Sequence, residues 1–204
     1  MNHPQRQTDR KREAIVQAAI DEFRLNGFEA TSMDKIAATA AVSKRTVYNH
    51  FASKEELFGA ILLQLWHSAA TQDALTYTPE SSLQTQLESY LRKKMTMLSD
   101  HNFLDLSRVA VAATIHSPDR ARDIVEKLSK NEQSIVTWIK SAQQDGKLRP
   151  EDPLLMADML QGQLKSIAFW PQVAMGQPVL TTTQQEVLVR TTASMFLGYY
   201  AVAQ

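Results

Sequence analysis

Apolar residues recur at helical spacing through most of this chain, and helix-start and helix-stop signals separate the segments. The first segment runs from about Thr8 to Leu25. Ile15, Ala19 and Phe23 recur at every fourth position in it and define one apolar face. Asn26-Gly27 follows as a C-cap signal. Because strand patterns are nearly absent, the sequence predicts an all-α fold of about nine helices.

Two short helical segments joined by a tight break follow the first helix. Thr31-Ser32 caps the segment MDKIAATAA, and Ser43 caps the segment KRTVYNHF after a break at Ala41-Val42. Two short helices separated by a tight turn and braced by a longer helix form the helix-turn-helix arrangement. We therefore predict a three-helix DNA-binding domain over residues 1–54. The remainder, residues 55–204, is predicted to be a helical bundle, in which Thr78-Pro79 and Asp152-Pro153 each mark a helix start with proline at its first position.

The exposed side of the third helix carries side chains that can read DNA. Val47 and Phe51 lie four positions apart and define its buried face. At about 100° per residue, Arg45 and Asn49 point away from that face and share one ridge. Arginine can read guanine and asparagine can read adenine through paired hydrogen bonds. The neighbouring side chains that suit phosphate or thymine contact are Thr46, Tyr48 and Lys54. An ordinary solvated helix face is the alternative interpretation.

The charge of the chain is unevenly distributed. Residues 1–54 carry nine Lys or Arg against six Asp or Glu, whereas the formal net charge of the whole chain is zero. A mildly basic N-terminal segment before a mildly acidic remainder suits local DNA contact. An excess of three positive charges also arises by chance.

Several classes of protein are disfavoured by composition. The absence of cysteine removes disulfides and Cys-type zinc sites, and the histidines lack metal-ligand spacing, so we predict no metal and no cofactor. No signal peptide pattern is visible, and no apolar run reaches the roughly 18 residues of a membrane span. The sequence therefore predicts a cytoplasmic protein with no membrane partner.

The segment TSMDKIAATAAVSKRTVYNHFASKEELFGAIL, from Thr31 to Leu62, resembles the DNA-binding domain of the TetR/AcrR family of bacterial regulators. The preceding AIVQAAIDEFRLNGFEAT resembles the first helix of that family, so the resemblance spans roughly residues 10 to 62. It implies that the third helix enters the major groove and that flanking side chains hold phosphates. The residues it implies at the DNA are Thr31 or Ser32, Lys44, Arg45, Thr46, Tyr48, Asn49, His50 and Lys54.

One position departs from the family pattern. The family usually has glycine in the turn between the second and third helices, whereas this chain has Ala41. If this residue adopts a positive φ, alanine costs about 1 kcal/mol relative to glycine. We expect the turn to tolerate that cost.

The C-terminal region is rich in aromatic and methionine side chains. The candidate walls of a ligand pocket are Trp66, Met97, Phe103, Trp138, Phe169 and Trp170. For each of these residues taken alone, filling of the core is the more ordinary explanation. The stretch AFWPQVAMGQP resembles the AefR-like subgroup of the family, and the family resemblance implies a cavity for a small, largely apolar effector.

The last two helices are the predicted dimer contact. The candidate interface residues are Met159, Leu164, Ile167, Leu188, Met195 and Tyr199. The family resemblance implies that this helix pair forms a two-fold four-helix bundle. Packing within one chain is the alternative explanation of the same pattern.

The sequence thus predicts a sequence-specific transcriptional regulator, a homodimeric repressor released from a palindromic operator in double-stranded DNA by a small molecule. An enzyme on a helical bundle is disfavoured, because no nucleophile and base set, phosphate-binding glycine loop or metal cluster stands out. A ligand-independent architectural DNA-binding protein is the second alternative, and it would bind DNA with little sequence preference.

Overall fold

This computed structural model describes residues 3–71, 75–114 and 133–202. Helices joined by turns and short loops make up these ranges. These ranges hold ten helices and no strand apart from an isolated bridge between Leu148 and Ala201. The all-α class predicted from the sequence is confirmed. The helices are α1 (His3–Asn26), α2 (Met33–Thr39), α3 (Lys44–His50), α4 (Lys54–Thr71), α5 (Leu83–Leu98), α6 (His101–Thr114), α7 (Gln133–Gln144), α8 (Pro153–Ala168), α9 (Trp170–Met175) and α10 (Thr182–Tyr200).

Three helix starts lie at the predicted caps. The side chain of Ser32 accepts from the Lys35 amide, and that of Ser43 accepts from the Thr46 amide. Asp152 caps α8, which has proline in its first turn as predicted. These caps satisfy backbone donors that a helix start leaves without partners.

The predicted start of α5 at Thr78-Pro79 is wrong. The helix begins at Leu83, and its cap is Ser82, whose side chain accepts from the Thr85 amide. The side-chain amide of Gln86 explains the difference. It accepts from the backbone nitrogen of Thr78 at 2.9 Å and donates to the Thr78 oxygen at 2.8 Å, which holds the preceding residues in a turn outside the helix.

The described residues divide into two compact units. The first comprises residues 3–65 and 105–114, and the second comprises residues 66–71, 75–104 and 133–202. The first unit extends past the predicted domain boundary at residue 54, because α4 contributes buried side chains to it. The predicted division into a DNA-binding part, residues 1–54, and a remainder, residues 55–204, stays a prediction.

An aromatic cluster occupies the core of the first unit. The ring of Phe28 lies 5.1 Å from that of Phe23 in α1 and 5.2 Å from that of Phe58 in α4, measured between centroids. All three side chains are buried. The cluster joins α1 and α4 at the point where the chain turns toward α2.

In the second unit, α10 packs against α5 and α8, while α7 and α9 pack against α8. Arg92 of α5 binds Glu186 of α10 through Nε at 3.0 Å and Nη2 at 2.7 Å. Hydrogen bonds from Arg92, followed by one from Arg190, hold the pKa of Glu186 at about 2. This pair ties the outer edges of α5 and α10 together.

Candidate DNA-binding interface

The turn between α2 and α3 contains a strained residue. Ala41 has φ +52°, the only positive φ at a residue other than glycine in the described ranges. The amide of the next residue, Val42, donates to the Ala37 oxygen at 3.0 Å, which closes the end of α2. Ala41 therefore adopts the positive φ at which alanine costs about 1 kcal/mol relative to glycine.

The third helix has one buried and one exposed side. Val47 and Phe51 are buried, and the guanidinium of Arg12 lies 5.0 Å from the centre of the Phe51 ring. Arg45 and Asn49 are exposed on the opposite side, as predicted, and Tyr48 is exposed beside them. Because Ser43 and Phe51 bound the helix at its caps, the exposed ridge is held on a short rigid element.

Other predicted contact residues lie around this ridge with different surroundings. Thr46 is half-buried, and its hydroxyl lies 2.8 Å from that of Ser43. His50 is half-buried at the end of the helix, and Ser32 is exposed at the start of α2. Lys44 is exposed, and its Nζ lies 2.5 Å from a carboxylate oxygen of Asp34 in α2.

Thr31 does not fit the phosphate contact inferred from the sequence. Its side chain is only 2% exposed, and its Oγ1 donates toward the Gly27 oxygen at 2.8 Å, with the Glu22 oxygen at 3.2 Å. A hydroxyl held against two carbonyl oxygens in the core cannot reach a phosphate without breaking the turn after α1. Of the two alternatives at this cap, Ser32 is therefore the candidate that remains.

The ammonium of Lys54 is directed into the protein. Its Nζ donates to the backbone oxygens of Phe28 at 2.6 Å and Glu29 at 3.1 Å, and it lies 4.4 Å from the centre of the Phe28 ring. These contacts give hydrogen-bond donors to two backbone carbonyl oxygens of the turn after α1. The arrangement differs from the phosphate contact predicted for Lys54, and it makes the residue a link between α4 and that turn.

Glu22, a buried carboxylate of α1, was not among the functional residues predicted from the sequence. Its oxygens accept from Thr39 Oγ1 at 2.6 Å and Asn26 Nδ2 at 2.8 Å, and Lys35 Nζ lies 3.1 Å away. The hydrogen bond from Thr39 makes the largest contribution to a pKa of Glu22 below its usual value, against the opposing effect of burial. One acid thus binds both ends of α2, which positions the helix-turn-helix. An acidic residue on the apolar side of a helix was the available signal.

Metal-binding clusters are absent among the described residues: no three His, Asp or Glu side chains come together there. None of the described helices has the length and apolar character needed to cross a membrane.

Comparisons with known proteins account for both parts of the chain. Residues 15–61 match the bacterial regulatory proteins of the tetR family, and residues 85–202 match the AefR-like transcriptional repressor C-terminal domain. The second match alone covers more than half of the chain. The chain belongs to the TetR family. Both resemblances stated from the sequence are confirmed.

Known structures and relatives agree with TetR family membership. A TetR family regulator from Pseudomonas syringae pv. tomato is 50% identical, with a TM-score of 0.83 and coverage of 95% of this chain and 98% of that chain. A TetR family regulator from Mesorhizobium loti is 28% identical, with a TM-score of 0.77 and coverage of 96% and 98%. The regulator RutR of Escherichia coli is 29% identical over 170 residues, which cover 80% of this chain and 76% of RutR.

TetR family membership makes this chain a DNA-binding transcriptional regulator with a helix-turn-helix, and not an enzyme. The exposed ridge of α3 lies within the matched DNA-binding domain. The individual DNA contacts, the effector and the dimer stay predictions.

The candidate pocket residues of this TetR family protein fall into separate groups. Phe169 lies 6.2 Å from Phe103 and 5.1 Å from Trp170 between ring centroids, and Trp170 is 47% exposed. Trp138 is fully buried elsewhere, with its Nε1 donating to Gln86 at 3.0 Å. Met97 is half-buried on α5. The side chain of Trp66 lies outside the described residues.

The candidate dimer residues of α8 and α10 differ in exposure. Met159 and Ile167 of α8 are exposed, and so are Met195 and Tyr199 of α10, while Leu188 is half-buried. Leu164 is 2% exposed and packs inside its own unit, so it cannot form part of an interface between subunits. Periodicity missed four other exposed apolar side chains on or just after these helices: Leu154, Leu155, Val187 and Val202.

Proposed function

We propose that this chain is a cytoplasmic homodimeric repressor that binds a palindromic operator and is released by a small, largely apolar ligand. The observation that carries the DNA-binding part is the exposed ridge of Arg45 and Asn49 on a capped helix whose other side is buried. In this proposal Arg45 and Asn49 read bases, because their side chains match guanine and adenine in the major groove. The residues proposed to hold the DNA backbone are Ser32, Lys44, Thr46, Tyr48 and His50.

Homodimerisation is proposed through α8 and α10, which pack side by side and expose apolar side chains. One helix-turn-helix reads too few base pairs for useful specificity, and two-fold symmetry doubles the site. Exposed apolar patches of this kind on a folded chain mark interaction surfaces. We define the dimer face by Met159, Ile167, Val187, Met195 and Tyr199.

Ligand release is proposed to act through the C-terminal domain. The ring contacts of Phe103, Phe169 and Trp170 support an apolar binding region, because ligand sites are lined mainly by apolar and aromatic side chains. A ligand weakens DNA binding only by its differential affinity for the free and DNA-bound forms, and DNA must weaken ligand binding equally.

Selection of bound sequences from random DNA, combined with light scattering, tests the proposal. The expected result is an inverted repeat bound by a dimer. Met195→Glu places a charge on the dimer face and is expected to give monomers that lose operator binding. Thr96→Glu adds the same charge at an exposed position of α5 and serves as the control. A monomer that binds a single half-site with full affinity would contradict the proposal.

The ligand-independent architectural protein is the remaining alternative. It predicts bound DNA without a preferred sequence and a steep loss of affinity with salt. A footprint on the selected DNA separates the two, since the repressor protects one site at concentrations that leave neighbouring DNA open.

A further inference from the structure

An acidic side chain lies beside two residues that are proposed to hold the DNA backbone. Asp34 is in the first turn of α2, two residues after the cap residue Ser32. A carboxylate oxygen of Asp34 lies 2.5 Å from Nζ of Lys44, the first residue of α3. Both side chains of this ion pair are exposed, that of Asp34 by 54% and that of Lys44 by 66%. A negative charge thus accompanies two proposed contacts for negatively charged phosphates.

The usual docking of a helix-turn-helix brings this carboxylate to the DNA. The first residues of the recognition helix approach the bases, while the preceding helix crosses the DNA backbone. Because Asp34 binds the first residue of α3, it approaches the DNA together with that end of the helix. An ionised carboxylate and a phosphate both accept hydrogen bonds and cannot pair with each other. A phosphate that approaches Lys44 is therefore repelled by Asp34 unless the ion pair opens.

The cation next to Asp34 in the sequence is engaged elsewhere. Lys35 follows Asp34 in α2, and its Nζ lies 3.1 Å from a carboxylate oxygen of Glu22 in α1. The start of a helix favours a negative charge, which accounts for an acid in the first turn of α2. It does not account for an acid that also binds the ammonium of Lys44 in α3. The two roles predict opposite effects on DNA binding, since a helix-stabilising acid supports the helix-turn-helix and a competitor opposes its contact with DNA.

We propose that Asp34 is an internal competitor for the DNA contact of Lys44. In the free protein the carboxylate holds the ammonium, and in the complex a phosphate replaces the carboxylate. The competition weakens phosphate binding at the start of α3 on every DNA sequence. Base contacts by Arg45 and Asn49 then supply a larger share of the affinity, which favours discrimination between sequences. This inference rests on the DNA contacts of the proposed function and adds a residue that opposes one of them.

Asp34→Asn in the full-length protein tests the inference. An exposed ion pair changes an equilibrium by up to about fivefold, so its removal from both subunits is expected to raise the affinity for DNA about two- to thirtyfold. The gain is expected on the selected operator and on unrelated duplex DNA alike. Fluorescence anisotropy with labelled duplexes at low salt measures both affinities. A purely structural role of Asp34 predicts no gain, because loss of a favourable charge at the start of α2 would only weaken the domain.

A double-mutant cycle separates competition for Lys44 from general repulsion. Asp34→Asn is also measured in a Lys44→Met background, where the gain in affinity is expected to disappear because no ammonium is left to release. Glu13→Gln makes the same charge change at an exposed position of α1 and is expected to leave the affinity nearly unchanged. If Asp34→Asn does not fold, Asp34→Ser removes the same charge and gives the same comparison.

The inference is overturned if the folded Asp34 variant binds DNA no more tightly than the natural chain, or if the gain persists without Lys44. A loss of affinity confined to operators with one particular base pair also overturns it, and would show that Asp34 reads cytosine. The proposed function fails separately, if selection from random DNA yields no preferred sequence. Binding to unrelated duplex DNA still tests the competition in that case, because phosphate contacts do not depend on sequence.

Discussion

The ammonium nitrogen of Lys54 lies 2.6 Å from the backbone oxygen of Phe28 and 4.4 Å from the centre of the same residue's ring. A side chain at the start of α4 thereby holds the turn that follows α1. Since Phe28 also contacts Phe23 and Phe58, the charge and the aromatic cluster fix the same junction. Lys54 is therefore expected to support DNA binding by positioning the helix-turn-helix rather than by contacting phosphate.

Lys54→Met separates these two roles. We expect the free energy of unfolding to fall by about 1–2 kcal/mol, because charge-assisted hydrogen bonds are lost at a half-buried site. Operator affinity is expected to fall while its dependence on salt stays the same. Loss of a phosphate contact would instead lower the salt slope by about 0.9 per subunit. Denaturation and binding at several salt concentrations give both quantities.

Lys44→Met is the matched control for that experiment. Lys44 is exposed on α3 and forms an ion pair with Asp34 at the surface, where such a pair adds little stability. Its loss is expected to lower the salt slope with little change in unfolding. A lower slope for Lys54→Met, with unchanged stability, would restore the phosphate contact predicted from the sequence.

Arg45→Ala is expected to relax base preference at one position of each half-site. Loss of a paired hydrogen bond to guanine costs about 1–3 kcal/mol for the preferred base and little for the others. Tyr48→Phe, on the same exposed side, is expected to weaken all sequences alike if its hydroxyl holds a phosphate. Competition binding with mutated operators measures both effects. Equal, sequence-independent losses for the two variants would show that Arg45 is only a backbone contact.

Ala41→Gly is expected to stabilise the protein by about 1 kcal/mol, because glycine adopts the φ of +52° without a clash from Cβ. Ala40→Gly provides a control at the adjacent position, where φ is −73° and glycine relieves no strain. That variant is expected to lower stability by about 0.5–1 kcal/mol. Thermal and chemical denaturation measure the difference, and the same sign for both variants would argue against strain at Ala41.

Glu22 makes the stability of the helix-turn-helix sensitive to acid. Hydrogen bonding by Thr39, with further contributions from Lys35 and Asn26, holds the pKa of Glu22 below the ordinary value of 4.5. The folded state therefore binds fewer protons than the unfolded state in this range. The stabilisation is complete above pH 4.5 and is lost as the pH falls through the lower folded pKa.

Glu22→Gln is thus expected to destabilise the protein at neutral pH and to reduce the further loss of stability below pH 4.5. Glu13→Gln makes the same charge change at an exposed position of α1 and is the control. Urea denaturation across this pH range gives the comparison. An unchanged pH profile for Glu22→Gln would show that other carboxylates cause the acid sensitivity.

Local features of the fold could be predicted from the sequence, and features set by distant contacts could not. Ser32, Ser43 and Asp152 cap helices through bonds two or three residues away, so their patterns are visible in the chain. The backbone oxygens that accept from Lys54 lie 25 and 26 residues earlier in the chain, and no local sequence pattern predicts them. The start of α5 was misplaced for a similar reason, because Gln86 reaches back eight residues to Thr78.

The candidate sites show the same division. The buried and exposed sides of α3 follow from spacing alone, as Val47 and Arg45 demonstrate. Met159 and Leu164 are both apolar residues of α8, yet one is exposed and the other is buried. Periodicity identifies apolar positions, and only packing decides which of them meet the chain's own core.

Backbone hydrogen bonds hold the end of α10 against the turn between α7 and α8. The Arg149 nitrogen donates to the Tyr200 oxygen at 2.8 Å, and the Val202 nitrogen donates to the Lys147 oxygen at 3.1 Å. A helix end bonded in this way cannot fray by itself, because its opening also opens the turn, and amide exchange there follows the larger unit. The C-terminal end of the proposed dimer face is thus ordered before a second subunit arrives, which leaves less conformational entropy to be lost on association.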